Sequence, residues 1–137
     1  MINIIMIDCH DLGQHLACYG WNSVPSEHLD KIASEGVRFE NSFCTAPQCS
    51  PSRSALYTGR YPHANGMFGL AHPPFNWRMH DDEVHLAKLL QNNGYHTTQI
   101  GGQHLTAGNE TAIQKLGFDQ VHRCNDATKV GEHVVSF

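Results

Sequence analysis

Cys49-Ser50-Pro51-Ser52-Arg53-Ser54-Ala55-Leu56-Tyr57-Thr58-Gly59-Arg60 sets a thiol, a helix start and a fixed cation side by side. Proline is tolerated in the first turn of a helix, where its missing N–H has no partner to lose. The run therefore predicts a helix beginning near Pro51 and stopping at Gly59, a residue suited to the left-handed cap. A helix starting there leaves unbonded backbone N–H groups and the positive end of its dipole beside Cys49, which favours an anion at that spot. Arg53 adds a planar, permanently charged fork suited to a tetrahedral oxyanion. Taken alone, the same residues also fit a buried structural thiol at a helix N-terminus.

Working outward, Val37-Arg38-Phe39-Glu40-Asn41 alternates and predicts a short strand that delivers the chain through Phe43, Cys44 and Pro47 to Cys49. Before it, Ser26 is a helix cap, Leu29, Ile32 and Ala33 share one side, and Gly36 is a stop. Ile2-Asn3-Ile4-Ile5-Met6-Ile7 is continuously apolar, which predicts a strand buried on both faces, as in parallel α/β sheets. It ends in Asp8-Cys9-His10-Asp11, where ligands bind in open α/β sheets.

Downstream, residues 60–74 form a Gly/Pro/His-rich loop of the kind that carries function. Asp82 is the expected cap of a helix with Val84, Leu86, Ala87, Leu89 and Leu90 on its apolar face, ended by Gly94. Residues 95–100 predict a strand running into Gly101-Gly102-Gln103-His104. Residues 111–116 predict a short amphipathic helix and residues 118–123 a last strand, whereas residues 125–137 carry no strong pattern. The recurring strand–helix alternation predicts an α/β sandwich with a mainly parallel sheet flanked by helices.

Composition narrows the function classes. The 137 residues carry 9 basic and 13 acidic side chains, a formal charge of −4 without any basic run, so no nucleic-acid partner is expected. No apolar run approaches the ~20 residues of a membrane helix, and no membrane partner is expected. The N-terminus enters its apolar run without a basic region, which reads as a first strand and not as a signal peptide. As written this implies a cytoplasmic protein, or a periplasmic or secreted one if a segment precedes it. Five cysteines, odd in number and irregularly spaced, form neither a disulfide framework nor a Cys-x-x-Cys zinc site. The eleven histidines are scattered and include no His-Glu-x-x-His pair.

Asp8, His10 and Asp11 either cap the turn after the first strand or hold a metal. Oxygen donors favour a hard cation such as Ca²⁺ or Mg²⁺, and the histidine keeps a transition metal open.

Cys49-Ser50-Pro51-Ser52-Arg53 followed by Leu56-Tyr57-Thr58-Gly59-Arg60 resembles the signature of the type I sulfatases, in the alkaline-phosphatase-like superfamily. Cys18-Tyr19-Gly20 and Tyr61-Pro62-His63 also fit the family's pattern. The resemblance implies an alkaline-phosphatase-like α/β sandwich, incomplete in this chain, with residues 1–137 as the N-terminal part of the catalytic domain. It implies that a formylglycine-generating enzyme oxidises Cys49 to Cα-formylglycine, whose aldehyde hydrate is the nucleophile and a metal ligand. Where the family has Asp-Asp before Leu-Gly, this chain has His10-Asp11 before Leu12-Gly13. Asp11 is then a metal ligand, His10 holds the other position with a different donor, and Asp8 is the reserve ligand. The implied metal is divalent, Ca²⁺ first and Mg²⁺ or another next.

The family follows a later strand with Gly-Lys-x-His, whose Lys and His touch the nucleophile hydrate and the sulfate. Here the run is Gly101-Gly102-Gln103-His104, so the histidine is present and glycine stands at the lysine position. A charge-assisted contact is typically worth ~1.5–3 kcal/mol, so its loss costs about tenfold to a hundredfold in rate unless another cation replaces it. The resemblance implies that Arg53 and His104 stabilise charge while the metal-activated hydrate attacks sulfur.

The expected function is therefore hydrolysis of sulfate esters, or of an N-sulfate, of a glycan or small molecule. The His-Asp variant resembles that of some glycan sulfatases and points towards sugars. The alternatives are a phosphate or phosphonate monoester hydrolase of the same superfamily and a non-catalytic relative that binds sulfated glycans. The 137 residues by themselves are expected to be inactive, because further metal and sulfate ligands of such enzymes lie beyond a segment of this length.

Overall fold

A serine before and a glycine after an apolar-periodic run bracket the first helix, α1 (Glu27–Glu35), in the computed structural model, which describes residues 2–136. Met1, before the expected first strand, and Phe137, the end of the patternless tail, lie outside the described residues. The chain divides into two units, Met1–Phe43 and Cys44–Phe137.

In the first unit Ser26 stands at the N-cap, but its hydroxyl does not cap the helix. It donates to Asp30 Oδ2 at 2.8 Å and accepts from the Ala17 N–H at 3.0 Å, while Asp30 Oδ1 accepts from the Cys18 N–H at 2.8 Å. A carboxylate one turn on competes for the serine, so the pair ties α1 to the 3₁₀ turn Ala17–Tyr19. Gly36 ends the helix as expected, its N–H donating to Ile32 O at 2.9 Å.

The two strands expected in this unit are not formed. Residues 2–7 and 37–41 join no ladder among the described residues. Ile2, Ile5 and Ile7 are 81%, 78% and 72% exposed, against the double-sided burial that their run predicts. A strand needs a hydrogen-bonded neighbour as well as the right side chains, and neither run has one. Arg38 is instead held by Glu40 and the Cys18 carbonyl, with its guanidinium over the Tyr19 ring.

The second unit is built around α2 (Cys49–Thr58), which starts two residues before Pro51 and stops at Gly59, φ 67°. Its inward face carries two hydroxyls one turn apart, Ser50 and Ser54, both fully buried. Ser50 Oγ accepts from the Ala71 N–H at 3.0 Å. Ser54 Oγ receives the side-chain amide of Asn65 at 3.1 Å. Asn65 ends a short helix, α3 (Pro62–Asn65), inside the segment expected to be loop throughout. Its amide also reaches Thr58 Oγ1 and Arg60 O, and its carbonyl accepts from the Met67 N–H, so a buried polar residue is fully bonded. Among the described residues the buried apolar side chains are Ala55, Met67, Ala71, Ala87, Leu105 and Ile113.

The next helix, α4 (Leu86–Asn92), is capped by His85 and not by Asp82. His85 Nδ1 accepts from the Ala87 N–H at 3.0 Å. The ring lies between Tyr57 (4.7 Å, stacked) and Phe118 (5.4 Å, edge-on). Because the helix starts later, Val84 falls outside it and is exposed, as is Leu89, while Ala87 is buried.

Two strands form where the sequence predicts them, β1 (Thr98–Ile100) and β2 (Gln120–His122). They pair in parallel, with Ile100 opposite His122. The crossover between them carries α5 (Glu110–Gln114), capped by Asn109. A clasp closes the entering ends: Thr97 N–H donates to Asp119 Oδ2 at 2.8 Å and the Asp119 N–H to Thr97 O at 2.9 Å. The Thr97 N–H first, then the Gln91 amide, hold the Asp119 carboxyl below the usual carboxylate range. A last helix, α6 (Ala127–Ser136), packs on β1 where the sequence shows no strong pattern. Asp126 Oδ1 starts it by accepting from the Thr128 and Lys129 N–H groups.

Candidate active site

Cys49 is the first residue of α2, with Gln48 at the N-cap. The first intrahelical bond is Ser52 N–H to Gln48 O at 3.1 Å, so Cys49 and Ser50 lie in the helix's opening turn, ahead of its own ladder. Pro51 occupies the third position and spends no donor there. The helix dipole therefore presents its positive end at the sulfur. Arg53 follows one turn on and is 9% exposed, a charge-bearing side chain set within the fold and not on its rim.

His104 reaches the same sulfur from a different element. It lies beyond the carboxyl end of β1, at φ 57°, and a ring nitrogen falls within 4.8 Å of Cys49 Sγ. His72, from the loop after α3, meets the His104 ring edge-on with centroids 6.5 Å apart. A cavity of about 330 Å³ opens beside them, with Gly102, Gln103, Arg123 and Asn125 on its walls. Sequence reasoning did not single out His72, Arg123 or Asn125. Their signal was positional: the first sits in the long Gly/Pro/His loop, Arg123 ends the last predicted strand and Asn125 comes two residues later.

The remaining candidates, Asp8, His10 and Asp11, belong to the first unit. All three are exposed. His10 Nδ1 lies 3.2 Å from Asp11 Oδ2, and Asp11 sits at φ 51°. Two carboxylates and an imidazole within four residues have the donor chemistry of a divalent-cation site, with oxygen predominating. No disulfide joins any of the five cysteines, and Cys49 is half-buried.

A thiol at a helix N-terminus, with a histidine from beyond the carboxyl end of a parallel strand beside it, sits where ligands bind on an α/β scaffold. Comparison with known proteins makes the class specific. The Sulfatase family model matches residues 3–129. Arylsulfatase H of Homo sapiens is 42% identical over 111 residues, covering 75% of this chain and 20% of the relative. An N-acetylglucosamine-6-O-sulfatase of Bacteroides thetaiotaomicron is 38% identical over 118 residues, covering 86% and 19%. Among solved structures, BT4656 in complex with its substrate D-glucosamine-2-N,6-O-disulfate superposes with a TM-score of 0.64 at 34% identity, covering 79% of this chain and 20% of that one.

This chain belongs to the sulfatase family. Its fold is the α/β arrangement of the alkaline-phosphatase-like enzymes, represented here by a small parallel sheet and its helices. The chain spans about a fifth of the length of the curated relatives it matches. Sulfatases generally use a metal ion and a formylglycine, and the residues at Cys49 and at positions 8–11 fit both in kind.

Proposed function

We propose that residues 1–137 form the nucleophile-bearing, N-terminal part of a sulfatase catalytic domain. The whole protein then hydrolyses sulfate esters, or an N-sulfate, of a glycan or small molecule. The observation that carries this is the placement of Cys49 at the first position of α2 with its sulfur within 4.8 Å of a His104 ring nitrogen, in a chain the Sulfatase model matches. The relatives named for N-acetylglucosamine 6-sulfate and glucosamine disulfate support a sulfated sugar.

In this reading Cys49 is converted by a formylglycine-generating enzyme, and the aldehyde hydrate supplies the attacking hydroxyl and a second one to expel the sulfate afterwards. Serine at position 49 has no second hydroxyl to drive that elimination. Asp11, His10 and Asp8 are the proposed side-chain ligands of a divalent metal, Ca²⁺ first on the grounds of their oxygen donors. The metal contributes Lewis-acid activation of the hydrate. The end of α2 orients the nucleophile and favours negative charge at it. Arg53, nearly buried, holds a fixed positive charge one turn away, where exclusion of water strengthens it. His104 is placed to exchange a proton with the oxygen at position 49.

A cytoplasmic location is likewise proposed, supported by five cysteines without a disulfide among them. No helix of the described residues is long and apolar enough to cross a membrane. Turnover of an aryl sulfate by the whole protein tests the central reading. Cys49→Ala abolishes it with the fold intact; turnover at the parent rate by that variant contradicts the reading.

A further inference from the structure

Parallel pairing sends the segments after β1 and β2 out of the sheet at one edge. Ile100 is opposite His122, and the Gly101 N–H donates to His122 O at 2.9 Å, extending the ladder by one step. Residues 101–104 and 123–125 consequently share the wall of the cavity beside His104. Of the described residues lining that cavity, Arg123 is the one permanent cation, and no carboxylate is among them. Two imidazoles, His72 and His104, complete its polar side. A concave wall with a fixed positive charge, two potential donors and no acid concentrates anions.

Arg123 is also uncommitted to the fold. It is exposed, and no hydrogen bond or ion pair engages its guanidinium among the described residues. The facing strand end offers no charge, since residue 102 is glycine. The space there is open: a Cβ at Gly102 would sit 3.7 Å from the His104 ring and 3.8 Å from Asn125 Oδ1, ordinary contact distances at a backbone angle that other residues tolerate.

We propose that Arg123 binds the sulfate oxygens of the substrate in this cavity, supplying from the end of β2 the cationic contact that Gly102 does not supply from the end of β1. This rests on the sulfate-ester reading of the site and adds a substrate-contacting residue to it. A guanidinium suits the role because its fork donates to two oxygens of a tetrahedral anion at once, which an ammonium does not.

Titration of the full 137-residue chain with inorganic sulfate at low ionic strength, followed by NMR signals of the Arg123 guanidinium and the His104 ring, tests the proposal. Both signals move together and saturate in the parent. Arg123→Ala weakens sulfate binding about tenfold, the loss of one charge-assisted contact. Arg123→Lys retains part of the affinity, and adding Gly102→Lys to the Arg123→Ala chain restores it by placing a cation on the facing wall. Parent-like affinity in Arg123→Ala together with weakened binding in His104→Ala overturns the role of Arg123 and leaves the sulfate reading standing. No saturable shift in any chain overturns both. Unchanged amide shifts in α4 and α5 certify that each variant is folded.

Discussion

His104 holds a left-handed backbone, φ 57°, and so does Asp11, φ 51°, so two candidate site residues occupy a region where non-glycine residues are uncommon. Such strain costs on the order of 1–3 kcal/mol and persists where the surroundings need a side chain aimed in one direction. For His104 that direction is towards Cys49 Sγ. His104→Gly is expected to relieve the backbone and stabilise the chain by about 0.5–1 kcal/mol in urea unfolding. Turnover of the whole protein should fall by about a hundredfold or more, the usual scale of a lost acid–base group. A variant that is both less stable and fully active would show that the angle has no functional cause. The sequence singles out Cys49, Arg53 and His104 because their neighbours form a recognisable motif. It does not single out His72 and Arg123, since they reach the cavity only through a loop and a parallel register that no local spacing encodes.

At the scale of elements, local chemistry was a good guide wherever an element is stabilised by its own residues. Pro51 and Gly59 mark α2. It misled where stability is supplied by a partner. Residues 2–7 have the composition of a buried strand and, among the described residues, no ladder to join, and α6 forms beside β1 where the sequence shows no strong pattern. The start of α4 shows a third case: Asp82 is a better intrinsic cap than His85, but burial of the imidazole between Tyr57 and Phe118 decides the position. Gly117 gives the sharpest element-scale prediction. At φ 106° its Cβ position lies 2.3 Å from both Cα and N of Lys88, so the loop after α5 lies directly against the backbone of α4. Gly117→Ala should destabilise the chain by about 2–4 kcal/mol, since neither backbone can yield without moving an element. Gly59→Ala, at φ 67° with open space around it, should cost only about 1 kcal/mol. Equal midpoints for the two variants in urea would contradict this packing.

For the molecule as a whole, stability should depend on pH through His85. Burial pushes its imidazole down to about 4 from an ordinary 6.5. In the unfolded chain the ring is solvated and takes up its proton first as pH falls. The folded state is therefore at full strength above about pH 6.5, loses stability steadily as pH drops towards 4, and loses no more from this group below that. The span corresponds to about 3 kcal/mol. His85→Asn keeps an acceptor for the Ala87 N–H and removes the titration, so its unfolding free energy should be flatter across the same window. A parent chain whose stability is level between pH 4 and 6.5 would show that the imidazole is not desolvated.

Conversion at position 49 tests the account most directly. A peptide spectrum spanning Cys49–Thr58 from the active whole protein, with aldehyde-specific labelling, reads it residue by residue. The account predicts an aldehyde in place of the thiol, in proportion to the specific activity and dependent on the formylglycine-generating enzyme. Fully active protein carrying only unmodified Cys49 would contradict it.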